Sequence, residues 1–285
     1  MSRIKSIIKK KIFHPNKRLG QNFLKNSGVI HNIINLSEFE GTDHVLEVGP
    51  GKGELTIPLA AVVRHITAVE KDNRLISDLN DKFSNNNIDN VSLINSDILR
   101  FDISAIADFR ISKIKVIGNL PYNIYSPFVE MLIKNQHLVS KAVLMFQIEF
   151  AQRIAARPGS KAYGSMSVLV QYNAEVRSLL KVSKDEFSPV PKVGSMLVVF
   201  DMEKPHSRRA DDYEFFKRVV KGGFAHRRKT LINSLKGSLQ FCNSEDILHS
   251  LEKCGIDPQR RAETLSIDDF INLASVLKNI EPTNS

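Results

Sequence analysis

One strand that ends in a glycine-rich turn and leads into a helical stretch limits the folds open to this chain more than any other feature. His44-Val45-Leu46-Glu47-Val48 reads as a buried strand, Gly49-Pro50-Gly51-Lys52-Gly53 follows it, and residues 54–63 read as a helix. A glycine-rich turn between strand and helix lets a ligand come close to the backbone. The spacing is G-x-G-x-G. A dinucleotide fingerprint needs glycine at position 54, where this chain has Glu54, and a P-loop needs a Gly-Lys-Ser/Thr ending that is missing here. This weakens NAD and ATP as ligands and leaves a smaller nucleoside without a pyrophosphate.

The strand-then-helix pattern recurs along the chain. Ser27 is expected to cap a helix with Val29, Ile30, Ile33 and Ile34 on one face. Further strands are expected at 66–70, 91–95, 114–119 and 142–146, with helices at 73–83 (capped by Asp72), 127–135 (opened by Ser126) and 149–157. Residues 165–172 and 195–200 read as two late strands, antiparallel at one edge. This alternation predicts an α/β fold, a Rossmann-like, doubly wound and mostly parallel sheet. Ligands in such sheets bind beyond the carboxyl ends of the strands. Gly49, Glu70, Asp97 and Asn119 all fall there, on four successive strands. Glu70 follows Gly49 by 21 residues, where doubly wound folds set an acid against a ribose diol. Asp97 has two readings, acceptor for the adenine amine of a bound cofactor or cap of a turn.

The strand at 114–119 ends in Asn119-Leu120-Pro121-Tyr122. The Asn119 amide oxygen and the Leu120 carbonyl can both accept hydrogen bonds. Pro121 restricts Leu120 to extended conformations, and Tyr122 offers a flat face. Two acceptors beside an aromatic plate suit an exocyclic amine on a flat heterocycle, such as N6 of adenine. They would localise and aim its lone pair, which is positioning and electrostatics rather than base catalysis. Phe187, at the head of the stiff Pro189-Val190-Pro191 loop, is a candidate for the second face of a flipped base. For Asn119-to-Tyr122 the plain alternative is a strand-to-helix turn, and for Phe187 it is a core anchor.

The net charge is +9, and its distribution is uneven. Residues 1–25 carry eight Lys or Arg and no acid, and 217–236 carry seven with no acid. Two basic patches around a near-neutral middle point to a polyanionic partner. Residues 1–18 read as a flexible basic arm, 19–204 as the α/β domain, and 205–285 as an all-helical domain, with the tail from 281 disordered. No apolar run is long enough to span a membrane. Cys242 and Cys254 lack metal-ligand or redox spacing, so a reduced, cytoplasmic protein with no metal is expected.

The motifs 20–24, 47–51, 119–122, 160–164, 187–193, 227–231 and 261–266 occur in the order found in one family. The chain resembles the KsgA-type small-subunit ribosomal RNA adenine dimethyltransferases over roughly residues 17–277. The resemblance implies transfer of methyl groups from S-adenosylmethionine, leaving S-adenosylhomocysteine, to N6 of two adjacent adenosines. These lie in the hairpin loop near the 3′ end of small-subunit rRNA, and four methyls are added. It implies a cofactor site of Asn22, Leu24, Gly49, Gly51, Glu70, Asp97 and Asn119. Asn119, Leu120 and Tyr122 would grip the target adenine, with Phe187 on its other face, and Arg227, Arg228 and Lys229 would hold RNA phosphates. The implied partner is rRNA within a pre-ribosomal particle, bound by a monomer, with no membrane involved. Leu19 stands where the family often has Phe, a packing difference. Rival readings are the large-subunit rRNA methyltransferases of the antibiotic-resistance type, a DNA adenine methyltransferase, and a non-catalytic assembly factor. The stretches 160–164 and 261–266 favour the small-subunit reading over the first of these.

Overall fold

The computed structural model describes Pro15 and residues 20–107, 113–239 and 241–280. The basic arm apart from Pro15, Leu19 and the tail from 281 lie outside the described residues.

Among the described residues the strands are β1 (Phe23–Leu24), β2 (His44–Val48), β3 (His65–Glu70), β4 (Val91–Asn95), β5 (Ile114–Asn119), β6 (Val139–Gln147), β7 (Glu175–Val182), β8 (Phe187–Ser188) and β9 (Ser195–Asp201). One sheet runs in the order β4-β3-β2-β5-β6-β9-β7. Strands β2 to β6 pair in parallel, and β9 pairs antiparallel with both β6 and β7. Strand order reverses between β2 and β5, which opens a crevice at their carboxyl ends.

The helices that cover this sheet are α1 (Ser27–Ser37), α2 (Thr56–Ala60), α3 (Asn73–Asn85), α4 (Tyr125–Lys134), α5 (Ile148–Ile154) and α6 (Ser165–Asn173). Alternation along each strand sorts side chains to two faces. Val45, Ile66, Ala68, Ile117 and Val143 pack with Ile30, Ile33 and Ile34 of α1 and Leu59 of α2. Leu46, Val48, Val116 and Leu144 pack with Phe128, Val129 and Leu132 of α4. Both faces of the parallel part are thereby buried, as a parallel sheet requires.

Several local expectations need correction. The helix expected to be opened by Ser126 starts at Tyr125, and the one expected to reach residue 157 ends at Ile154. The α1 cap is Asn26 rather than Ser27: its Oδ1 accepts from the backbone N–H of Gly28 at 2.9 Å and of Val29 at 3.3 Å. The helix expected to reach residue 63 ends at Ala60. Residues 165–172 are not a strand but helix α6, and the antiparallel edge strand is β7 instead. The error has a physical cause. Val170 of α6 packs into the sheet core, while Val168, Leu169 and Tyr172 pack into a second, helical core. A helix buried on two sides shows an unbroken apolar run and hides its period.

That second core belongs to α7 (Tyr213–Gly223), α8 (Leu231–Lys236), α9 (Ser244–Lys253) and α10 (Ile267–Lys278). Phe216, Val219, Leu235, Leu251, Phe270 and Leu277 meet there with Tyr163 and Tyr172. The α9 and α10 starts are fixed by reciprocal capping boxes, Asn243 with Asp246 and Ser266 with Asp269. Lys221 of α7 pairs with Glu130 of α4 at 3.3 Å across to the sheet domain. Cys242 is buried and Cys254 half-buried, and no disulfide joins them.

Candidate active site

The carboxyl ends of β4, β3, β2 and β5 carry, in that spatial order, Asp97, Glu70, Gly49 and Asn119. They line one cleft of about 1030 Å³, open mouth included, together with Asn22, Leu24 and Gly51. All seven residues expected to hold a cofactor are thus in one place.

The segment from Gly20 to Lys25 closes the cleft from the side. The Gln21 amide donates to Asp72 at 2.7 Å, and Phe23 and Leu24 pair with Ser188 and Phe187 across the β1–β8 ladder. The Lys25 N–H donates to the Glu186 carbonyl at 2.9 Å. Asn119 Nδ2 donates to the Asn22 carbonyl at 2.9 Å. This last bond commits the nitrogen side of the amide to the segment and leaves Oδ1 as the side available to a ligand. Gly20 takes φ +63°, and a Cβ there would lie 3.1 Å from Pro121 and 3.5 Å from the Tyr122 ring. The segment can therefore sit this close to the Asn119–Tyr122 turn only with glycine at that position.

A second, smaller hollow of about 320 Å³ lies on the far side of the same turn. Tyr122, Phe187, Pro191, Val193 and Gln147 line it, and Asn22, Asn119, Leu120 and Pro121 line both spaces. The turn is a shared wall. Among the described residues no donor is bonded to the Leu120 carbonyl. Tyr122 is 57% exposed, and Phe187 is 1% exposed, held from behind by the core that contains Leu24 and Val182. Two residues of this hollow were not picked out from sequence: the Tyr125 hydroxyl accepts from the Gln147 N–H at 3.0 Å and braces the wall.

Acids dominate the cleft. Glu70 accepts from the N–H of Asp72 at 2.7 Å and of Gly51 at 3.1 Å, so it shapes the glycine turn as well as facing the ligand. Burial nevertheless pushes its pKa up. Asp97 caps the following turn through the Leu99 N–H at 3.1 Å, which is one of its two sequence readings, and it also lines the cleft. Lys71, 2.8 Å away, holds the Asp97 carboxyl below the usual carboxylate range. Glu47 and Glu54 also line the cleft, and neither was singled out as a site residue from the sequence. Burial pushes Glu47 up to about 8; the Thr56 hydroxyl beside it opposes the shift without closing a well-formed hydrogen bond. The available sign was a lone acid inside the apolar run 45–48. S-adenosylmethionine is a cation with a ribose and no phosphate. A lining of three glutamates with a carboxyl lacking a partner suits such a group and would repel a pyrophosphate.

The three expected RNA contacts lie on the loop before α8, and all are exposed. Arg227 reaches inward: Nε lies 3.4 Å from Glu263 Oε2, and Nη2 donates to the Lys161 carbonyl. The Gly159 N–H donates to the Glu263 carbonyl at 2.7 Å. The motif stretches 160–164, 227–231 and 261–266 therefore meet at one corner. Arg228 and Lys229 stand in solvent there and, among the described residues, ion-pair with no carboxylate. Elsewhere in the basic run, Lys217 pairs with Glu214, Lys221 pairs with Glu130, and Arg218 lies over the Phe215 ring. Among the described residues no group of three His, Cys, Asp or Glu could hold a metal, and no helix is long and apolar enough to cross a membrane.

Comparison with known proteins bears on this geometry. The model of the family described as ribosomal RNA adenine dimethylase matches residues 12–279. Among curated proteins, a "ribosomal RNA small subunit methyltransferase A" of Desulforapulum autotrophicum is 41% identical over 271 residues, 95% of each chain. A protein of the same name from Staphylococcus aureus is 40% identical over 277 residues, 95% of this chain and 93% of that one. Among solved structures, a dimethyladenosine transferase from Plasmodium falciparum superposes with a TM-score of 0.75 at 24% identity, covering 90% of this chain and 98% of that one. The 23S rRNA methyltransferase ErmE gives 0.69 at 24% identity, covering 90% and 99%. At that identity the two structures speak for the fold.

Proposed function

The chain belongs to the ribosomal RNA adenine dimethylase family, and from that premise we propose how its strand ends do their work. It is an S-adenosylmethionine-dependent enzyme that methylates adenines of small-subunit rRNA. The cofactor would be held by Asn22, Leu24, Gly49, Gly51, Glu70, Asp97 and Asn119. Glu70 takes the ribose diol, and Asp97 the adenine amine. When bound, the cofactor supplies a methyl group already activated on a sulfonium.

The chain's own contribution is placement. A target adenine, splayed from its RNA loop, enters the smaller hollow and stacks between Tyr122 and Phe187. Its N6 amine then donates to Asn119 Oδ1 and the Leu120 carbonyl, which localise the lone pair and aim it across the shared wall. The observation that carries this reading is that wall: Asn119, Leu120 and Pro121 line both spaces, and the bond to the Asn22 carbonyl turns the Asn119 oxygen toward a ligand. After each transfer the methylated N6 is an ammonium that gives one proton to water, so no residue need act as a base.

The finer substrate follows from the resemblance: two adjacent adenosines in the hairpin loop near the 3′ end, each methylated twice, in a small-subunit precursor in the cytoplasm. The residues up to about 204 form the catalytic domain, and the helical domain from 205 presents Arg228 and Lys229 to RNA phosphates. The test is transfer of labelled methyl from S-adenosylmethionine to small-subunit particles from cells lacking this activity, with large-subunit particles as control. Label recovered as N6,N6-dimethyladenosine in small subunits alone is expected; label only in large subunits would move the substrate to the other subunit.

A further inference from the structure

Two exposed valines on the loop beside the smaller hollow have no task in this mechanism. Among the described residues seven large apolar side chains are exposed. Four are scattered: Leu36 on α1, Val62 past α2, Leu99 past β4 and Leu248 on α9. The other three, Tyr122 at 57%, Val190 at 54% and Val193 at 37%, belong to the turn and the loop that line this hollow. Single exposed apolar side chains need no explanation, but a cluster beside a site marks a surface that is covered in use. Tyr122 takes the target adenine in the mechanism above, which leaves Val190 and Val193. Their loop, residues 189–194, is held at both ends. Phe187 and Ser188 before it pair with β1, and the Gly194 carbonyl accepts from the Ile148 N–H at 3.2 Å. Pro189 and Pro191 fix two of its φ angles, so little order remains to be imposed on binding. Between the valines stands Lys192, which is exposed and, among the described residues, pairs with no acid.

On the adenine placement proposed above, on which this inference rests, a target base in the hollow has left its stack. The base next to it on the strand has then lost a partner. An apolar loop with one unpaired cation matches that neighbour: the flat face of the base meets the valines, and the phosphate that links the two nucleosides meets Lys192. Lys192 carries the only polar side chain from Pro189 to Val193, so this surface reads a base by its face and not by its edge. That matters where two adjacent adenosines are both substrates. Once one is finished, its N6 carries two methyls and can no longer donate, and a contact that reads the edge would reject it. We propose that Val190 and Val193 form a subsite for the base next to the target, that Lys192 holds the linking phosphate, and that the subsite takes adenine and N6,N6-dimethyladenine alike.

The test is the affinity of the full chain, with S-adenosylhomocysteine present, for hairpin RNAs that carry two adjacent adenosines in the loop, read by fluorescence anisotropy. One adenosine is made abasic, in each position in turn, and then both. Emptying the neighbour position should cost the wild type about five- to tenfold, the lower end for a base held on a protein surface, and it shows as the larger of the two single losses. N6,N6-dimethyladenosine in that position should restore the affinity. In the double variant Val190→Ser, Val193→Ser the neighbour loss should vanish, while the further loss on removing both bases, which reports on the hollow, should remain. Lys192→Gln should keep the neighbour loss and flatten the salt dependence by about 0.7 in log–log slope. No single loss in the wild type, a neighbour loss that survives in the double variant, a dimethylated neighbour that binds no better than an abasic one, or an unchanged slope in Lys192→Gln would overturn the proposal. Affinity indifferent to the removal of both bases would instead overturn the adenine placement.

Discussion

At the strand ends, carboxyls crowd a cleft in which Glu47 and Glu70 are 1% and 6% exposed; at the corner near α8, Arg228 and Lys229 stand in water. On the proposed function the two regions would face opposite ligands, a cationic cofactor and a polyanionic RNA, and the difference is one of solvent as much as of sign. In the cleft the carboxyls of Glu47 and Glu70 are desolvated, so each must be matched singly, by a backbone N–H, a proton or the ligand itself. At the corner, salt screens each cation, so the number of phosphate contacts matters more than the placement of any one. Arg227 breaks the pattern from within the basic run: its guanidinium joins Glu263 to the Lys161 carbonyl and holds three loops together.

Substitutions can break or sharpen this contrast. The largest effect is expected at the wall. Asn119→Ala should lower single-turnover methyl transfer by about 10²–10³, the range seen when a preorganised partner of the transition state is removed. Particle binding, read by filter retention, should stay nearly unchanged; an equal loss of both would remove Asn119 from the role of amine acceptor. Next comes the corner. Reversing Arg228 and Lys229 together to Glu should weaken rRNA binding by about 10- to 100-fold at low salt and flatten its salt dependence by about 1 to 2 in log–log slope. Cofactor affinity should not move, and a fall in it would merge the two regions.

Within the cleft, Glu70→Gln should weaken the cofactor about tenfold, as expected for a hydrogen bond to a charged acceptor, with rRNA binding intact. A separate effect concerns stability without cofactor. Glu47 stays protonated in the fold up to about pH 8, while in the unfolded chain it ionises from its ordinary value of 4.5. Unfolding therefore releases a proton in that window, so the Glu47 contribution is complete below about 4.5 and is lost as pH rises to about 8. Glu47→Gln should close the gap, standing roughly 3–4 kcal/mol above the wild type near pH 8 relative to pH 5 in urea melts. An unchanging difference across that range would show that Glu47 does not titrate there. Smallest is Arg227→Ala, expected to lower the melting temperature by about 2 °C while leaving the salt slope of rRNA binding as it was. A slope reduced by about 1 would make Arg227 a phosphate contact like its neighbours.

The strand ends were legible because each strand announces its own end: a glycine turn after Val48, an acid at Glu70, Asp97 past Asn95, and Asn119-Leu120-Pro121-Tyr122 after Gly118. Parallel order then brings those ends together without further information. What stayed hidden depends on contacts between distant residues. The β1–β8 ladder joins two-residue strands more than 160 positions apart, too short for any periodicity. Arg227 and Arg228 are the same residue type side by side, and only the distant Glu263 and Lys161, 36 positions on and 66 back, set them apart. Helix α6 concealed its period by being buried on two sides, and β7 escaped notice because its exposed Glu175, Arg177 and Lys181 resemble a loop. Glu47 could be seen as an acid in an apolar run, but its lack of a donor is a property of the fold.

The claim on which the rest depends is that the two spaces meet across the Asn119–Tyr122 turn, cofactor on one side and target adenine on the other. The most direct measurement is the affinity of a bisubstrate compound, an adenosine joined through N6 to the sulfur position of the cofactor, compared with S-adenosylhomocysteine and adenosine separately. The account predicts that the joined compound binds far more tightly than S-adenosylhomocysteine, and that this gain disappears in Asn119→Ala but survives the Arg228 and Lys229 reversal. A joined compound that binds no better than S-adenosylhomocysteine would contradict it, because the two spaces would then not lie in line across the wall.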